Sequence, residues 1–282
     1  MEFRRIGIYW NPTKRAGLEI AGDLKALLQE HHRMVVTGIE LARALGDPRL
    51  AEEPLESCDL LIVLGGDGTI LSALDIALPN DIPILGINLG HLGYLSEVNP
   101  TDLHRDVIDV LEGRFKIEER MTLTLSDEDE RRVFALNEVV VTRSKPALRV
   151  LTLEIEVNGQ PLDRVSGDGV LVATPTGSTA YSLSAGGPII RPDLNCFVIT
   201  PICSHAMNAR PVVVSADDRV TIRVVGTNEA ANAALDGRKI VHVKPEGKGI
   251  TVLRSGLSAR FVRLHDCNYF SLLHSKLAER SL

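Results

Sequence analysis

Residues 65–69 read Gly-Gly-Asp-Gly-Thr and follow the aliphatic run Leu60, Leu61, Ile62, Val63, Leu64. A glycine-rich turn between a buried strand and a helix exposes backbone N–H groups and the positive end of the helix, which suits phosphate oxygens. Gly65, Gly66 and Gly68 let a ligand approach the main chain closely, and Thr69 adds a hydroxyl. Asp67 is an anion where phosphates would repel it, so it needs a chemical reason. A carboxylate there can accept a hydroxyl proton, or orient a hydroxyl or Mg2+, during phosphoryl transfer. The blander alternative is an aspartate that caps the helix behind it.

A second constellation occupies residues 167–190. Thr174, Thr176, Ser178, Thr179, Ser182 and Ser184 gather around Gly177, Gly186 and Gly187, with Asp168, Ala180 and Tyr181 among them. So many hydrogen-bonding groups on an approachable backbone suit a flat polar ligand, although a long glycine-serine loop is the plainer reading. The third element, Asn137-Glu138, opens an apolar run and is weak alone, because such a pair on a strand is usually solvated surface. Cys203 and His205 lie two residues apart near Cys196, and a metal site is conceivable there. Buried small hydrophobes beside a structural histidine is the preferred reading.

These residues need elements to hold them. Residues 6–10 form a short apolar strand, and Ile20, Leu24, Leu27, Leu28 and His31 follow at helical spacing. Residues 34–36 read as a strand, and 60–64 as one buried on both faces, which indicates parallel-sheet chemistry. Ile70, Leu71, Leu74 and Leu78 have helical period, and residues 82–87 make a further strand. Asn99 and Pro100 start a helix that Gly113 ends. After about residue 115 the period changes to two: Leu151, Leu153, Ile155 and Val157 alternate with polar residues before the hairpin signal Asn158-Gly159. Further strands are expected at 121–125, 133–141, 170–173, 220–225 and 250–253, with Asp236-Gly237 as another turn. The chain ends in a helical pattern carrying Phe270, Leu272, Leu273 and Leu277, which suits a helix packing back on the first domain.

The 282 residues suit two domains. Hydrophobic residues at 44% and charged residues at 24% exclude disordered and coiled-coil classes, and 4% aromatics make the cores aliphatic. A formal charge of −6 argues against a nucleic-acid or anionic-membrane binder, so a polyanionic ligand needs a local basic pocket. There is no secretory-signal pattern and no apolar run of membrane-spanning length, and the four cysteines form no CxxC pair. A reduced, cytoplasmic chain is expected.

Taken in this order and spacing, GGDGT, Asn137-Glu138 and the block TPTGSTAYSLSAGGP closely resemble the NAD kinase family. GGDGT alone is shared with diacylglycerol and sphingosine kinases and, in similar form, with 6-phosphofructokinases. The resemblance implies transfer of the γ-phosphate of ATP to the 2′-hydroxyl of the adenosine ribose of NAD, giving NADP. It also implies Mg2+ or another divalent cation arriving with ATP, with no built-in metal site, and a homodimer or homotetramer. The implied fold is an α/β N-terminal domain with a Rossmann-like parallel sheet (1–117 plus 261–282), joined to an all-β C-terminal, NAD-binding domain (118–260). A C-terminal helix returns to the first.

By that resemblance Asp67 is the proton acceptor and, with Gly68, contacts NAD; Gly65, Gly66, Gly68 and Thr69 bind phosphate; and Asn137 and Glu138 hold adenosine-side groups. Asp168 faces the nicotinamide riboside, Thr179, Ala180, Tyr181, Ser182 and Ser184 line the NAD pocket, Arg149 is a basic ligand residue, and residues 11–14 (Asn-Pro-Thr-Lys) lie near the nucleotide. The chain departs from the family at Arg238, where glutamine is usual, and at Ser204, where proline is usual. Ser166 stands where some relatives carry an arginine that can sense the nicotinamide charge, so NADH is expected to be a usable, poorer substrate. Some relatives also accept polyphosphate. The competing readings are a lipid kinase, which needs an apolar cleft, and a regulator that binds nucleotide without turnover.

Overall fold

The computed structural model describes residues 2–14, 16–90, 93–126, 132–144, 150–226, 230–264 and 269–279. The chain divides into two compact units, Met1–Glu119 with Ala259–Leu282, and Arg120–Ser258.

The first unit alternates strand and helix: β1 (Arg5–Trp10), α1 (Ala16–Glu30), β2 (Met34–Thr37), α2 (Ile39–Ala44), β3 (Leu60–Gly65), α3 (Asp67–Ala77), β4 (Ile84–Asn88) and α4 (Leu103–Leu111). Its strands are parallel in the order β2-β1-β3-β4, and the last residues of the long strand β16 (Ile250–Arg263) join beyond β4 through Phe261 and Ile84. All six residues of β3 are buried, as the uninterrupted aliphatic run requires of a strand covered on both faces. Ile6, Ile8, Leu60, Ile62, Leu64 and Leu85 share a core with Leu24 and Leu28 of α1 and Val107 and Val110 of α4. In this strand order the sheet changes direction between β1 and β3, and such a switch point opens a crevice at the carboxyl ends of the strands. The segments that leave those two ends are 11–14 and 66–69.

The second unit is a β-sandwich. Its strands are β5 (Lys116–Ser126, from Arg120), β6 (Arg132–Ala135), β7 (Glu138–Arg143), β8 (Leu151–Val157), β9 (Gln160–Gly167), β10 (Gly169–Ala173), β11 (Cys196–Ile202), β12 (Val212–Ser215), β13 (Val220–Val224), β14 (Ala231–Leu235), β15 (Lys239–Val243) and the first part of β16, with one short helix, α5 (Tyr181–Ser184). One antiparallel sheet runs β12-β11-β10-β7-β14-β15, and the other carries β9, β8, β13 and β16. Val139, Val141, Val170, Val172, Phe197 and Ala233 of the first face Leu153, Ile155, Ile222 and Val252 of the second in a single core. The β8–β9 hairpin turns at Asn158 and Gly159 with φ of +53° and +76°, the left-handed pair that Asn-Gly favours.

One expectation needs correction. The run 133–141 is two strands, β6 and β7, separated at Leu136 and Asn137. The C-terminal helix α6 (Tyr269–Glu279) clusters with the first unit, but only Leu272 and Leu273 of its four apolar residues are partly buried, and Phe270 and Leu277 are exposed.

Candidate active site

In the first unit the chain leaves β3 at Gly65, where a side chain would collide with Thr69: a Cβ would lie 2.2 Å from its Oγ1. Helix α3 then opens at Asp67 with Gly66 as its extended N-cap residue and no side-chain cap. This removes the capping alternative for Asp67. Its carboxylate instead accepts the backbone N–H of Tyr94 at 2.9 Å and of Leu95 at 3.2 Å. Each oxygen thereby uses one lone pair and keeps another. Thr69 N donates to Gly66 O at 2.9 Å, whereas the amides of Asp67 and Gly68 lie too early in α3 for an intrahelical partner. Asn11 Oδ1 accepts from Thr13 N (3.0 Å) and Thr13 Oγ1 (2.7 Å), a local turn that sets the direction of Lys14. A Cβ at Gly66 would lie 3.7 Å from Lys14 Nζ, so the ammonium stands over the glycine turn. The result is a carboxylate of fixed orientation beside a helix N-terminus and a lysine, in a chain of net negative charge. Gly65 and Thr69 are buried, and Gly68 is exposed.

Residues 93–96, which carry none of the sequence motifs, complete this group in the first unit. Gly93 N donates to Ser96 Oγ at 3.1 Å, and a Cβ at Gly93 would lie 1.9 Å from Asp67 Oδ1. A glycine after the fourth strand was the only signal.

In the second unit the break at Leu136 and Asn137 has a cause a hundred residues away. Asp236, at φ +48° in the β14–β15 turn, accepts the N–H groups of Leu136 (2.9 Å), Asn137 (2.8 Å) and Glu138 (3.1 Å) with its carboxylate. Asn137 O accepts Thr174 N at 2.8 Å, Leu136 O accepts Thr174 Oγ1 at 2.6 Å, and a Cβ at Gly177 would lie 2.1 Å from Asn137 O. The Asn137-Glu138 turn and the Thr174–Gly177 turn are therefore packed backbone to backbone. Two motifs that were only suggestive apart form one surface.

Glu138 is buried and its Oε2 has no hydrogen-bond partner. Burial, then the charge of Asp236, push its carboxyl up to about 8, against a smaller opposing effect of the Tyr181 N–H. Asp236 is raised in the same direction, chiefly by burial, which outweighs its three backbone donors. Near neutral pH Glu138 is thus a neutral acid able to donate a hydrogen bond. A carboxyl raised above its ordinary value of 4.5 binds a proton in the folded chain that the unfolded chain has released. Stability from this site is therefore fully present below about pH 4.5 and declines as pH rises through about 8. Glu138→Gln should remove that decline: thermal unfolding should find variant and parent similar near about pH 5 and the variant more stable near about pH 9. A constant difference across that range would show that Glu138 titrates normally.

The remaining positions divide. Asp168 is half exposed and paired with Arg143 Nη2 at 2.6 Å. Tyr181 and Ser184 are exposed and Ala180 partly so. Thr179 and Ser182 point inward instead: Thr179 Oγ1 donates to Thr176 O at 3.3 Å, and Ser182 Oγ shares a bond with Thr200 Oγ1 at 3.3 Å. Ser166 Oγ pairs with Thr152 Oγ1 at 3.1 Å. Arg238 lies in the Asp236 turn, where its charge lowers the carboxyl of Asp236 slightly. Arg120, unforeseen from sequence, is buried with Nη1 3.4 Å from Thr176 Oγ1. Arg149 lies outside the described residues. Cys203 and His205 are exposed, and no metal-binding cluster of three or more His, Cys, Asp or Glu occurs among the described residues.

Comparison with known proteins gives a consistent result. The family model for the ATP-NAD kinase N-terminal domain matches residues 6–115, and that for the ATP-NAD kinase C-terminal domain matches 136–264. The chain is 39% identical over 281 residues to the NAD kinase of Moorella thermoacetica, covering 98% of this chain and 90% of that one. It is 36% identical over 283 residues to the NAD kinase of Heliobacterium modesticaldum, covering 97% and 98%. Among solved structures, yeast NADH kinase complexed with NADH aligns with a TM-score of 0.87 at 25% identity, over 99% of this chain and 88% of that one. An NAD kinase from Archaeoglobus fulgidus in complex with ATP aligns with a TM-score of 0.76 at 28% identity, over 99% of each. These matches do not favour the lipid-kinase or regulator readings.

Proposed function

Since the chain belongs to the NAD kinase family, and is a phosphotransferase by that membership, we propose how its own residues carry the transfer of the γ-phosphate of ATP to the 2′-hydroxyl of the adenosine ribose of NAD. The observation that carries the proposal is the Asp67 carboxylate, held by two backbone N–H donors beside the N-terminus of α3. A ribose hydroxyl is a weak nucleophile, and phosphoryl transfer asks mainly for alignment and charge stabilisation. Asp67 takes the hydroxyl proton on its free lone pairs. Lys14 and the first amides of α3, at Asp67 and Gly68, face phosphate oxygens, while Gly65 and Thr69 shape the turn from within. A divalent cation such as magnesium, bound to ATP, would neutralise part of the charge on its phosphates.

The domain of residues 1–117 with 261–282 binds nucleotide in this scheme, and 118–260 binds NAD. Asn137 and Glu138 meet the adenosine side, with Glu138 donating a hydrogen bond. Ala180, Tyr181 and Ser184 line the ligand, Thr179 and Ser182 stiffen its floor, Asp168 faces the nicotinamide riboside, and Arg149 supplies charge. A cytoplasmic homodimer or homotetramer completes the reading, on family grounds alone.

The test is purified protein with ATP and Mg2+ and either NAD or NADH, assayed for NADP or NADPH. NAD should be phosphorylated; no product with ATP or polyphosphate overturns the reading. Asp168 already has Arg143 as its counter-charge, and Ser166 is neutral, so little here distinguishes a cationic from a neutral nicotinamide ring. The yeast neighbour is itself an NADH kinase. NADH should therefore be used with kcat/KM lower by several-fold, about 1 kcal/mol. A preference for NAD above about a thousandfold, ~4 kcal/mol, would place the discrimination elsewhere.

A further inference from the structure

Arg263 ends β16, and its side chain is only 14% exposed. Its Nε donates to Glu118 Oε2 at 2.7 Å, and its Nη1 reaches both Glu97 Oε2 at 3.0 Å and the carbonyl oxygen of Leu95 at 3.2 Å. The other oxygen of Glu97 accepts Leu264 N at 2.9 Å, and the guanidinium carbon lies 5.5 Å from the centre of the Phe261 ring. Glu97 is itself 7% exposed, so the group is a built, largely desolvated ion cluster and not a surface pair.

The Leu95 carbonyl matters because the N–H of the same residue, with that of Tyr94, holds the Asp67 carboxylate. Residues 93–96 belong to no helix or strand, so no regular ladder fixes the direction of those two amides. The segment is tied on one side by Gly93 N to Ser96 Oγ and on the other by Glu97 N and Val98 N to Gly86 O. Between these ties, the planar fork of Arg263 grips the carbonyl of Leu95, which shares its α-carbon with the Leu95 N–H. A guanidinium can serve two carboxylates and a carbonyl in fixed directions, which an ammonium cannot.

We propose that Arg263 is a positioning residue for phosphoryl transfer: anchored by Glu97 and Glu118, it holds the Leu95 carbonyl and so restricts backbone rotation at Leu95, keeping the amides of Tyr94 and Leu95 aimed at the Asp67 carboxylate. The proposal rests on Asp67 being the proton acceptor. It assigns a function in turnover to a residue almost two hundred positions further along the chain, with no part in binding either substrate.

The test is steady-state kinetics of Arg263→Lys, which keeps the charge beside the two glutamates and loses the fork. The expected result is a kcat lower by about tenfold with KM for NAD and for ATP unchanged within about twofold, as misalignment of a catalytic group without loss of binding predicts. The same substitution in an Asp67→Asn background should cost no further kcat, because the group it aims is gone. Arg263→Met combined with Glu97→Gln, which leaves no unpaired charge at that pair, should give the same split between kcat and KM with a larger loss. Unchanged kcat in both Arg263 variants, a rise in KM in place of the kcat loss, or an equal loss in the Asp67→Asn background overturns the proposal. Full turnover in Asp67→Asn alone overturns the proton-acceptor reading, and this inference with it, whereas an impaired Asp67→Asn beside unchanged kcat in both Arg263 variants overturns only the inference.

Discussion

Asp67→Asn should lower kcat for NADP formation by about 100-fold or more, the loss expected when the base of a phosphoryl transfer is replaced by a group that cannot take the proton. Asparagine has the same size, and its carbonyl can still accept one of the two N–H groups, of Tyr94 and Leu95, that the carboxylate now accepts. Its NH2 must face the other, and that donor against donor costs about 1 kcal/mol, or a few degrees in Tm. The two effects separate cleanly: a large kinetic loss in a chain that melts almost normally. Turnover within about threefold of the parent would reduce Asp67 to a brace for residues 94 and 95.

Gly93→Ala should come second in size. Its Cβ would lie 1.9 Å from Asp67 Oδ1, far inside contact distance, and 2.7 Å from the carboxyl carbon. Carboxylate or loop must move, and the carboxylate is the more easily displaced because it can rotate about two side-chain bonds against only two hydrogen bonds. Displacing a reacting group by about 1 Å costs up to about 100-fold in rate. The expected outcome is a kcat lower by about 30-fold or more with modest destabilisation, about 1–3 kcal/mol from crowding. An alanine variant with parental kcat would mean that the loop yields and that the amides of Tyr94 and Leu95 are dispensable to turnover. Gly93→Ala and Arg263→Lys perturb the same carboxylate from opposite sides, so their effects should fall short of multiplying.

Local patterns account for what could be read without coordinates. The aliphatic run before Gly65 is buried at every residue, the alternation from Leu151 to Val157 forms β8, and Asn158-Gly159 turns with both residues left-handed. Each is decided by neighbours within a few positions: side-chain period sets the exposed face, and turn chemistry sets φ. The glycine turn at 65–69, the Asn137-Glu138 pair and the serine-threonine block were likewise recognisable by residue type and order.

Their partners were not. Nothing near Asn137 predicts that Asp236 takes three successive N–H groups and splits one apolar run into β6 and β7. The inward turn of Thr179 and Ser182, the exposure of Phe270 and Leu277 on α6, and the raised carboxyl of Glu138 also depend on groups far along the chain. The chain's residue types thus pointed to most of its elements, to its family and to Asp67 as the proposed proton acceptor, because propensity and turn geometry are short-range. Which donors hold that carboxylate, and whether a buried acid carries its proton, was left to tertiary packing, because hydrogen-bond partners and desolvation arise only when distant segments exclude water together.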